Sequence, residues 1–595
     1  MIESIDIIIR RRIIFIIIIS FVGIISFKLF RLQILERSRF EQKSKNNSIK
    51  KEIIDAPRGV FLDRNGEILV SNKPSYDVLI TPYEYNTELN PLIEKSLELD
   101  SGYVDQVLHK FRMYSKYAPR LIKRDAPFQV ISWYEENSVK LPGVSYKVGL
   151  QRDYNFGVNG AHYFGYLNEI SGEMLKKNKD IYSLGDFVGV SGLEKVYENY
   201  LRGQKGYKLI VVDSRGKKVR DYENGKKDKA PQKGNDLLLT IDKKTQEIAE
   251  DLFKDKRGGV VAMNPQTGEV IAFVSAPQYD LNNFGKVKSA EYIKQLNEDP
   301  GKPLFNRVTL AQQSPGSTFK MLVALAMLQE GVIRKNDYVI CKGGLEIGGR
   351  LFKCTHVHGK VSVEEAIEKS CNTFFYNYIF KLGLNNYEKY SRLFGFGKPT
   401  GIDLPFEEDG LVPSKKYYDR VYGKRNWNKG QLISLSIGQG ELSVTLMQLV
   451  QYTSLLANKG WTIKPHLVKA IKNSEMNSTE LLSYDTVRVT GIKDRNWELI
   501  RKGMYKVVNG DGTATNIKMK EIEIAGKTGT VQNPHGEDHA LFVAFAPYEH
   551  PQIAVAVLVE NVGYGSTYAA PIAQALIKSY LLNTNTPREK GLAVR

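Results

Sequence analysis

Cysteine is scarce in this chain, with three among 595 residues, at Cys341, Cys354 and Cys371. An odd number rules out the complete disulfide framework that staples small exported domains. Nucleic-acid signatures are missing too. There is no zinc-knuckle, RNP-like or helix-turn-helix pattern, and the basic residues are dispersed among 66 acidic ones. The formal net charge of +18 therefore suits a surface facing anionic lipid or an anionic polymer, not a nucleic-acid partner. A nucleophile elbow is absent as well, because in Gly189-Val190-Ser191-Gly192-Leu193-Glu194 the second glycine comes one place too early.

What is present points to an anchored, multidomain protein. The length exceeds what one hydrophobic core organises, and 42% apolar with 25% charged residues is an ordinary globular composition. Arg10, Arg11 and Arg12 precede an apolar run from Ile13 that extends through Phe30. About 18 residues at about 1.5 Å each give roughly 27 Å, enough for one membrane crossing, with the arginines left in the cytoplasm. A cleaved signal peptide is the rival reading, but Lys28-Leu29-Phe30-Arg31-Leu32 lacks the small residues that cleavage needs. The expected division is a cytoplasmic tail over 1–12, a transmembrane helix over 13–30, a pedestal over 31–235, a main domain over 236–585 and a tail over 586–595. Residues 31–51 read as a helical stalk, Arg58 to Gly66 as a hairpin turning at Asn65-Gly66, 86–136 as mainly helical, and the lysine-rich 225–234 as a linker. In the main domain, 259–274 and 539–560 each read as a β-hairpin and 569–582 as a helix. The fold class is α/β (α+β), with an antiparallel sheet flanked by helices.

Three short patterns carry chemistry. Ser314-Pro315-Gly316-Ser317-Thr318-Phe319-Lys320 opens a helix that is apolar all round, so it should be buried. Lys320 lies one turn from Ser317 as the only cation in a dry segment, where burial lowers its pKa toward a neutral amine able to accept the serine proton. The Ser-x-x-Lys spacing alone is weak, since it recurs at Ser48–Lys51 and Ser214–Lys217 in polar stretches. Ser370-Cys371-Asn372, read as part of a helix from Val363 past Phe374, offers a hydroxyl and an amide two positions apart. Gly526-Lys527-Thr528-Gly529-Thr530 follows the alternating stretch Glu521–Ile524, read as a strand. Gly529 would let an extended peptide lie alongside, and Lys527, Thr528 and Thr530 would hold a carboxylate.

In this order, with the second and third patterns 53 and 210 positions after Ser317, the set resembles the penicillin-binding transpeptidase and serine β-lactamase superfamily. The Arg58-to-Gly66 box, Gly192-Leu193-Glu194, Asp280 and Asn282, and Gly438-Gln439-Gly440 with Thr445 resemble the class B penicillin-binding proteins, and among them the elongation-type penicillin-binding protein 2 group. The resemblance implies that Ser317 attacks the D-Ala-D-Ala bond of a peptidoglycan stem peptide and that Lys320 is the base. It implies that Ser370 relays protons with help from Lys527, that Asn372 orients the substrate amide, and that the backbone N–H groups of Ser317 and Thr530 form the oxyanion hole. It further implies inhibition by β-lactams, a single-pass location in the inner membrane with the catalytic domain outside, and partners such as a polytopic glycan polymerase and other elongation-complex proteins. Rival readings are a D,D-carboxypeptidase or β-lactamase, for which no water-activating acid stands out, and a wall-binding scaffold or β-lactam sensor. A sensor would need an output domain, and only about twelve residues precede the anchor.

The chemistry itself needs no cofactor. Cys341, Cys354, His358 and Cys371 make a four-ligand tetrahedral set for a structural zinc. Their spacings are not those of a zinc finger, and the support comes from the resemblance, whose elongation-type members often carry a metal here. His356 is an alternative to His358. A Cys341–Cys354 disulfide with Cys371 simply buried is the rival arrangement.

Overall fold

The computed structural model describes residues 2–36, 48–113, 115–178, 180–183, 185–213, 218–284, 289–424, 426–473, 475–533 and 536–583. Ser214–Lys217, residues 37–47 of the expected stalk and the tail 586–595 lie outside the described residues. The chain opens with a helix over Ile2–Phe30, continued by a π-helical turn over Arg31–Leu35. Its stretch Ile9–Leu35 is long and apolar enough to cross a membrane, and none of its most apolar window is buried against the rest of the protein.

The last residues of the expected helical stalk are strand instead. Ile49–Ile54 pairs antiparallel with Gly206–Val212, and the Lys51 ammonium lies 4.6 Å from the Tyr207 ring centre. Cross-strand hydrogen bonds thus override the helical character of a lysine-rich segment. The expected linker is also pinned. Tyr207 and Lys229 exchange backbone hydrogen bonds of 2.8 and 2.9 Å, and Gln204 and Gln232 do the same at 2.9 and 2.8 Å. Residues 86–136 hold three helices, Asn90–Ser96, Tyr103–Lys110 and Phe128–Glu136, together with a strand over Arg120–Lys123. That strand was not expected. It pairs with Val78–Ile80 and buries Ile122 in a small second core with Val78, Ile80, Ile93, Val104 and Ile131.

The Arg58-to-Gly66 hairpin forms as read, with Phe61 opposite Val70, and the Asp63 carboxylate accepts from the backbone of Asn65 and Glu67 at 2.8 Å each. Two sequence landmarks, Arg58 and Glu194, converge beside it with Arg152. Glu194, fully buried, takes Arg58 and Arg152 at 2.6 Å each, and Arg58 also reaches Glu198 at 2.6 Å. Burial pushes the Glu194 carboxyl up, but the two guanidiniums overrule it and hold it below its usual range. Removing one partner of such a buried set typically costs about 3–5 kcal/mol, because the others stay charged and dry.

The main domain is built on a five-stranded antiparallel sheet. Its order is Val270–Ala276, Gly258–Met263, Ile553–Val559, His539–Ala546, Ala525–Val531. The first hairpin of the domain therefore lies beside its last strands, as the sequence implies. Both faces are covered. Helices Gly565–Asn583 and Lys243–Phe253 pack together on one, and Leu446–Ala457, with every residue buried, packs on the other. The strand Asp236–Leu239 joins early and late parts of the chain in one sheet, pairing in parallel with Phe61–Leu62 and antiparallel with Val468–Asn473. Arg64 to Glu269 at 2.8 Å and Tyr197 Oη to Asp403 at 3.0 Å add two further ties between the same parts.

Candidate active site

Ser317 sits in a 3-10 turn, Gly316–Phe319, that leads directly into the helix Lys320–Gln329. Residues Lys320 to Met327 of that helix are all buried. Each fully buried Leu or Met there contributes about 1.5–3 kcal/mol, so the helix is fixed by its packing. Its start is held from three sides. Gly316 has φ +54°, donates its N–H to Gly438 O at 2.9 Å, and would place a Cβ 3.1 Å from Thr530 O. Gly438, at φ +72°, would push a Cβ to 2.2 Å from Gly316 O, so only glycine fits. The Tyr452 hydroxyl accepts from Leu322 N at 3.0 Å, satisfying one of the amides that a helix start leaves unpaired. Tyr452 was not singled out in the sequence. It lies 130 positions away in an apolar helix, and nothing local marks it.

The second pattern does not lie inside a helix. One helix, Val363–Glu368, starts with a Ser362–Glu365 capping box and ends before Ser370, and the next begins at Asn372. Ser370 takes φ +55°, a left-handed conformation that a serine adopts only when its surroundings impose it. Lys320 is the group that uses this break. Its Nζ donates to Ser370 O at 2.8 Å and to Asn372 Oδ1 at 2.6 Å, and lies 3.2 Å from Ser370 Oγ. An ammonium has three protons, and three acceptors stand around it. Ser370 Oγ is the one partner that can reverse direction, donating to the amine once it is neutral. Burial pushes Lys320 down to about 8, with the thiols of Cys354 and Cys371 opposing the shift.

The third pattern is itself the strand. Ala525–Val531 pairs with His539–Ala546, with Lys527 opposite Val543 and Gly529 opposite Leu541, whereas Glu521–Ile524 is not in a strand. The two glycines mask a strand that its partner defines. Gly529 serves the interior more than a ligand, since a Cβ there would come within 3.1 Å of both Thr318 and Leu541. Lys527 is fully buried, and burial, with the charge of Lys320 behind it, pushes its amine well below the ordinary lysine value. Its Nζ donates to Thr528 O at 3.2 Å. Ser317 itself is half-buried. A cleft of about 600 Å3 runs past the strand end, lined by Ser314, Gln439, Gly440, Gln532 and Asp538 among others. A larger cavity of about 750 Å3, in the pedestal around Arg58 and Arg152, contains none of the three patterns.

Among the remaining sequence landmarks, Asp280 caps a short turn by accepting from Asn282 N at 2.8 Å, and Thr445 with Gln448 forms a capping box on the Leu446–Ala457 helix. Both are structural supports, the second for a helix under the central sheet.

All three cysteines are free thiols, so the Cys341–Cys354 disulfide is not formed. The ligand atoms of Cys341, Cys354, His358 and Cys371 lie within 4.8 Å of one another. Individual spacings are 3.6 Å from Cys341 Sγ to His358 Nδ1, 3.4 Å from Cys354 Sγ to His358 Nδ1, and 3.9 Å between the sulfurs of Cys354 and Cys371. A tetrahedral zinc with ordinary bond lengths spaces such ligands roughly 3.5–3.8 Å apart, so the set fits. His356 enters through its carbonyl, which accepts from Cys341 Sγ at 3.5 Å.

Two family descriptions match the chain. One is the penicillin binding protein transpeptidase domain over residues 258–578, the other the penicillin-binding protein dimerisation domain over 53–239. The peptidoglycan D,D-transpeptidase MrdA of Acinetobacter baumannii is 32% identical over 575 residues, covering 93% of this chain and 84% of that one. Among solved structures, the complex between PBP2 and MreC from Helicobacter pylori aligns with a TM-score of 0.74 at 28% identity, over 90% of this chain and 100% of its counterpart. A peptidoglycan synthase complex, solved for the structural coordination of polymerization and crosslinking, aligns with a TM-score of 0.73 at 27% identity, over 98% and 100%.

Proposed function

The chain belongs to the class B penicillin-binding proteins, and from that membership we infer that it is a serine D,D-transpeptidase that cross-links peptidoglycan during cell elongation. The observation that carries the chemistry is the buried Lys320 amine at the head of its helix, facing Ser370 and Asn372. Neutral Lys320 takes the proton of Ser317 as its Oγ attacks the carbonyl of the penultimate D-Ala of a donor stem. The oxyanion develops against the backbone N–H groups of Ser317 and Thr530, where fixed dipoles lower the barrier without reorganising. The terminal D-Ala leaves as an amine. Its proton arrives through Ser370, whose contact with Lys320 reverses direction, and the field of Lys527 favours that transfer. Asn372 orients the substrate amide, while Thr528 and Thr530 hold the terminal carboxylate along the strand that Gly529 keeps close to the helix. The amine of a neighbouring stem then attacks the ester, forms the cross-link and frees Ser317.

This assignment is tested by incubating the purified chain with penicillin. The expected result is a mass gain of one penicillin molecule, stable over minutes and mapped to the peptide containing Ser317. Turnover of the adduct within seconds would favour a hydrolase, and no adduct at all would leave only a wall-binding scaffold.

The division proposed is an anchor over 13–30, a pedestal over 31–235 and a transpeptidase unit over 236–585. Arg10 to Arg12 hold the short tail over 1–12 in the cytoplasm, so the catalytic unit lies outside a single-pass inner-membrane anchor. Partners of the elongation complex, a polytopic glycan polymerase among them, engage the anchor and pedestal. The relatives solved with MreC and within a peptidoglycan synthase complex support that reading.

A structural zinc is proposed on Cys341, Cys354, His358 and Cys371. Cys354 is pulled below the usual thiol range by its hydrogen bond with Cys371 and by backbone donors, against the opposing effect of burial. When bound, the metal would tether Cys371, the residue between Ser370 and Asn372, and so fix the break on which Lys320 depends. Metal analysis of purified protein should return one zinc per chain; a lower content with two thiols oxidised would reverse the assignment.

A further inference from the structure

The segment over 414–441 carries five exposed cations, Lys415, Lys416, Arg420, Lys424 and Lys429. None of them forms an ion pair among the described residues, and Arg420 lies 5.9 Å from the Tyr417 ring centre. The segment has two acids, and both are turned inward. Asp419 Oδ1 accepts from Trp427 Nε1 at 2.8 Å. The two oxygens of Glu441 accept from the hydroxyls of Tyr418 and Tyr422 at 2.9 Å each. A net positive surface remains.

An aromatic stack fixes that surface. Tyr418 is fully buried, with the Tyr422 ring stacked on it at 6.0 Å and the Trp427 ring at 5.1 Å. Tyr422 is nevertheless 43% exposed. A ring held at one side by Tyr418 and at its hydroxyl by Glu441 offers apolar contact area with little entropy left to lose. The surface also joins the cleft that runs past the Ala525–Val531 strand. Glu441 follows Gly440, and the helix Gln431–Leu435, two residues after Lys429, carries Ser434; Gly440 and Ser434 both line the cleft.

Repeated cations beside a fixed aromatic ring match a polymer whose sugar rings alternate with anionic branches. A peptidoglycan strand, with free carboxylates along its stem peptides, is such a polymer. In the proposed reaction the donor stem is taken by the Ala525–Val531 strand, which leaves this surface for the strand that brings the amine. We propose that the surface over 415–429 is the docking site of the acceptor strand, with its sugars against Tyr422 and its stem carboxylates against the lysines and Arg420. The proposal rests on the chain being a transpeptidase acylated at Ser317, and it names where the second substrate lies.

The test uses the full chain in detergent, acylated with penicillin to fill the donor position, and fluorescently labelled soluble peptidoglycan strands without cross-links. Binding is read by polarisation. The acylated chain should bind these strands, and more weakly as salt is raised. Lys415→Gln, Lys416→Gln and Arg420→Gln together should weaken binding about tenfold, the combined worth of three exposed charge contacts. Tyr422→Ala should weaken it with every cation in place, and Tyr422→Phe, which keeps the ring, should recover it. Strands with amidated stem carboxylates should bind the unmodified chain as weakly as untreated strands bind the triple variant. Every variant should take up penicillin at the unmodified rate, because none touches the donor half. Strand binding that the triple variant leaves unchanged overturns the proposal. So does binding that polyglutamate matches and Tyr422→Ala does not alter, since charge alone would then explain it. Binding of phosphatidylglycerol vesicles in place of strands, lost in the triple variant, would make this a lipid-facing surface and overturn it equally. Failure of the unmodified chain to acylate is a different result, because it withdraws the assignment of Ser317 on which the proposal rests.

Discussion

Ser317→Ala is expected to leave the purified chain without any covalent penicillin adduct, however long the incubation. The effect is total because no other group stands where the oxygen stands. Lys527 is fully buried with its amine turned to Thr528 O, and Lys320 is fully buried against Ser370 and Asn372. The fold should be unaffected, since the side chain is half-buried in a turn whose position is set by Gly316, Gly438 and the Tyr452 hydroxyl. Unchanged thermal unfolding alongside lost labelling separates the loss of a nucleophile from the loss of the protein. An adduct that survives the substitution would place the acylated residue elsewhere and dismantle the mechanism.

Lys320→Met should slow acylation by about 10²–10⁴-fold, the range associated with removing a positioned general base. Methionine fills much of the same space, so what is lost is the lone pair and its geometry. The pH dependence of the unmodified chain gives an independent reading. Burial lowers the amine from 10.5 to about 8, and only the neutral form accepts a proton. At pH 7 roughly a tenth of the molecules then hold a neutral amine, against about one in three thousand for an unshifted lysine. Acylation should therefore rise about tenfold per unit as pH climbs toward 8 and level off above it. A profile that stays flat from pH 6 to 9 would remove Lys320 from the proton-transfer step. Lys320→Met should lose this dependence along with its rate.

How far the sequence discloses these features depends on how local their causes are. The Lys320–Gln329 helix is legible because an apolar run of 10 residues is too short to cross a membrane and must pack inside the fold, taking its one cation with it. The hairpins at 258–276 and 539–559 are legible because a turn separates two apolar stretches. The third pattern reads as following a strand and not as the strand itself, since Gly526 and Gly529 lower strand propensity and the pairing comes from His539–Ala546, a stretch further along the chain. The left-handed Ser370 was hidden for the same reason, because its conformation answers to Lys320, 50 positions earlier. The strand at Arg120–Lys123 and the pinned 225–234 segment owe their form to partners at Val78–Ile80 and 204–207. Tyr452 shows nothing in its own neighbourhood, and only the folded chain brings it to Leu322.

The Asp236–Leu239 strand, stitched to Phe61–Leu62 on one side and to Val468–Asn473 on the other, has a mechanical consequence. A loose hinge on either side of this strand would let the segment around Phe61 and the unit that carries Ser317 turn independently. A continuous β-ladder makes one lever of them, so a tilt imposed on the first is delivered to the serine as a displacement.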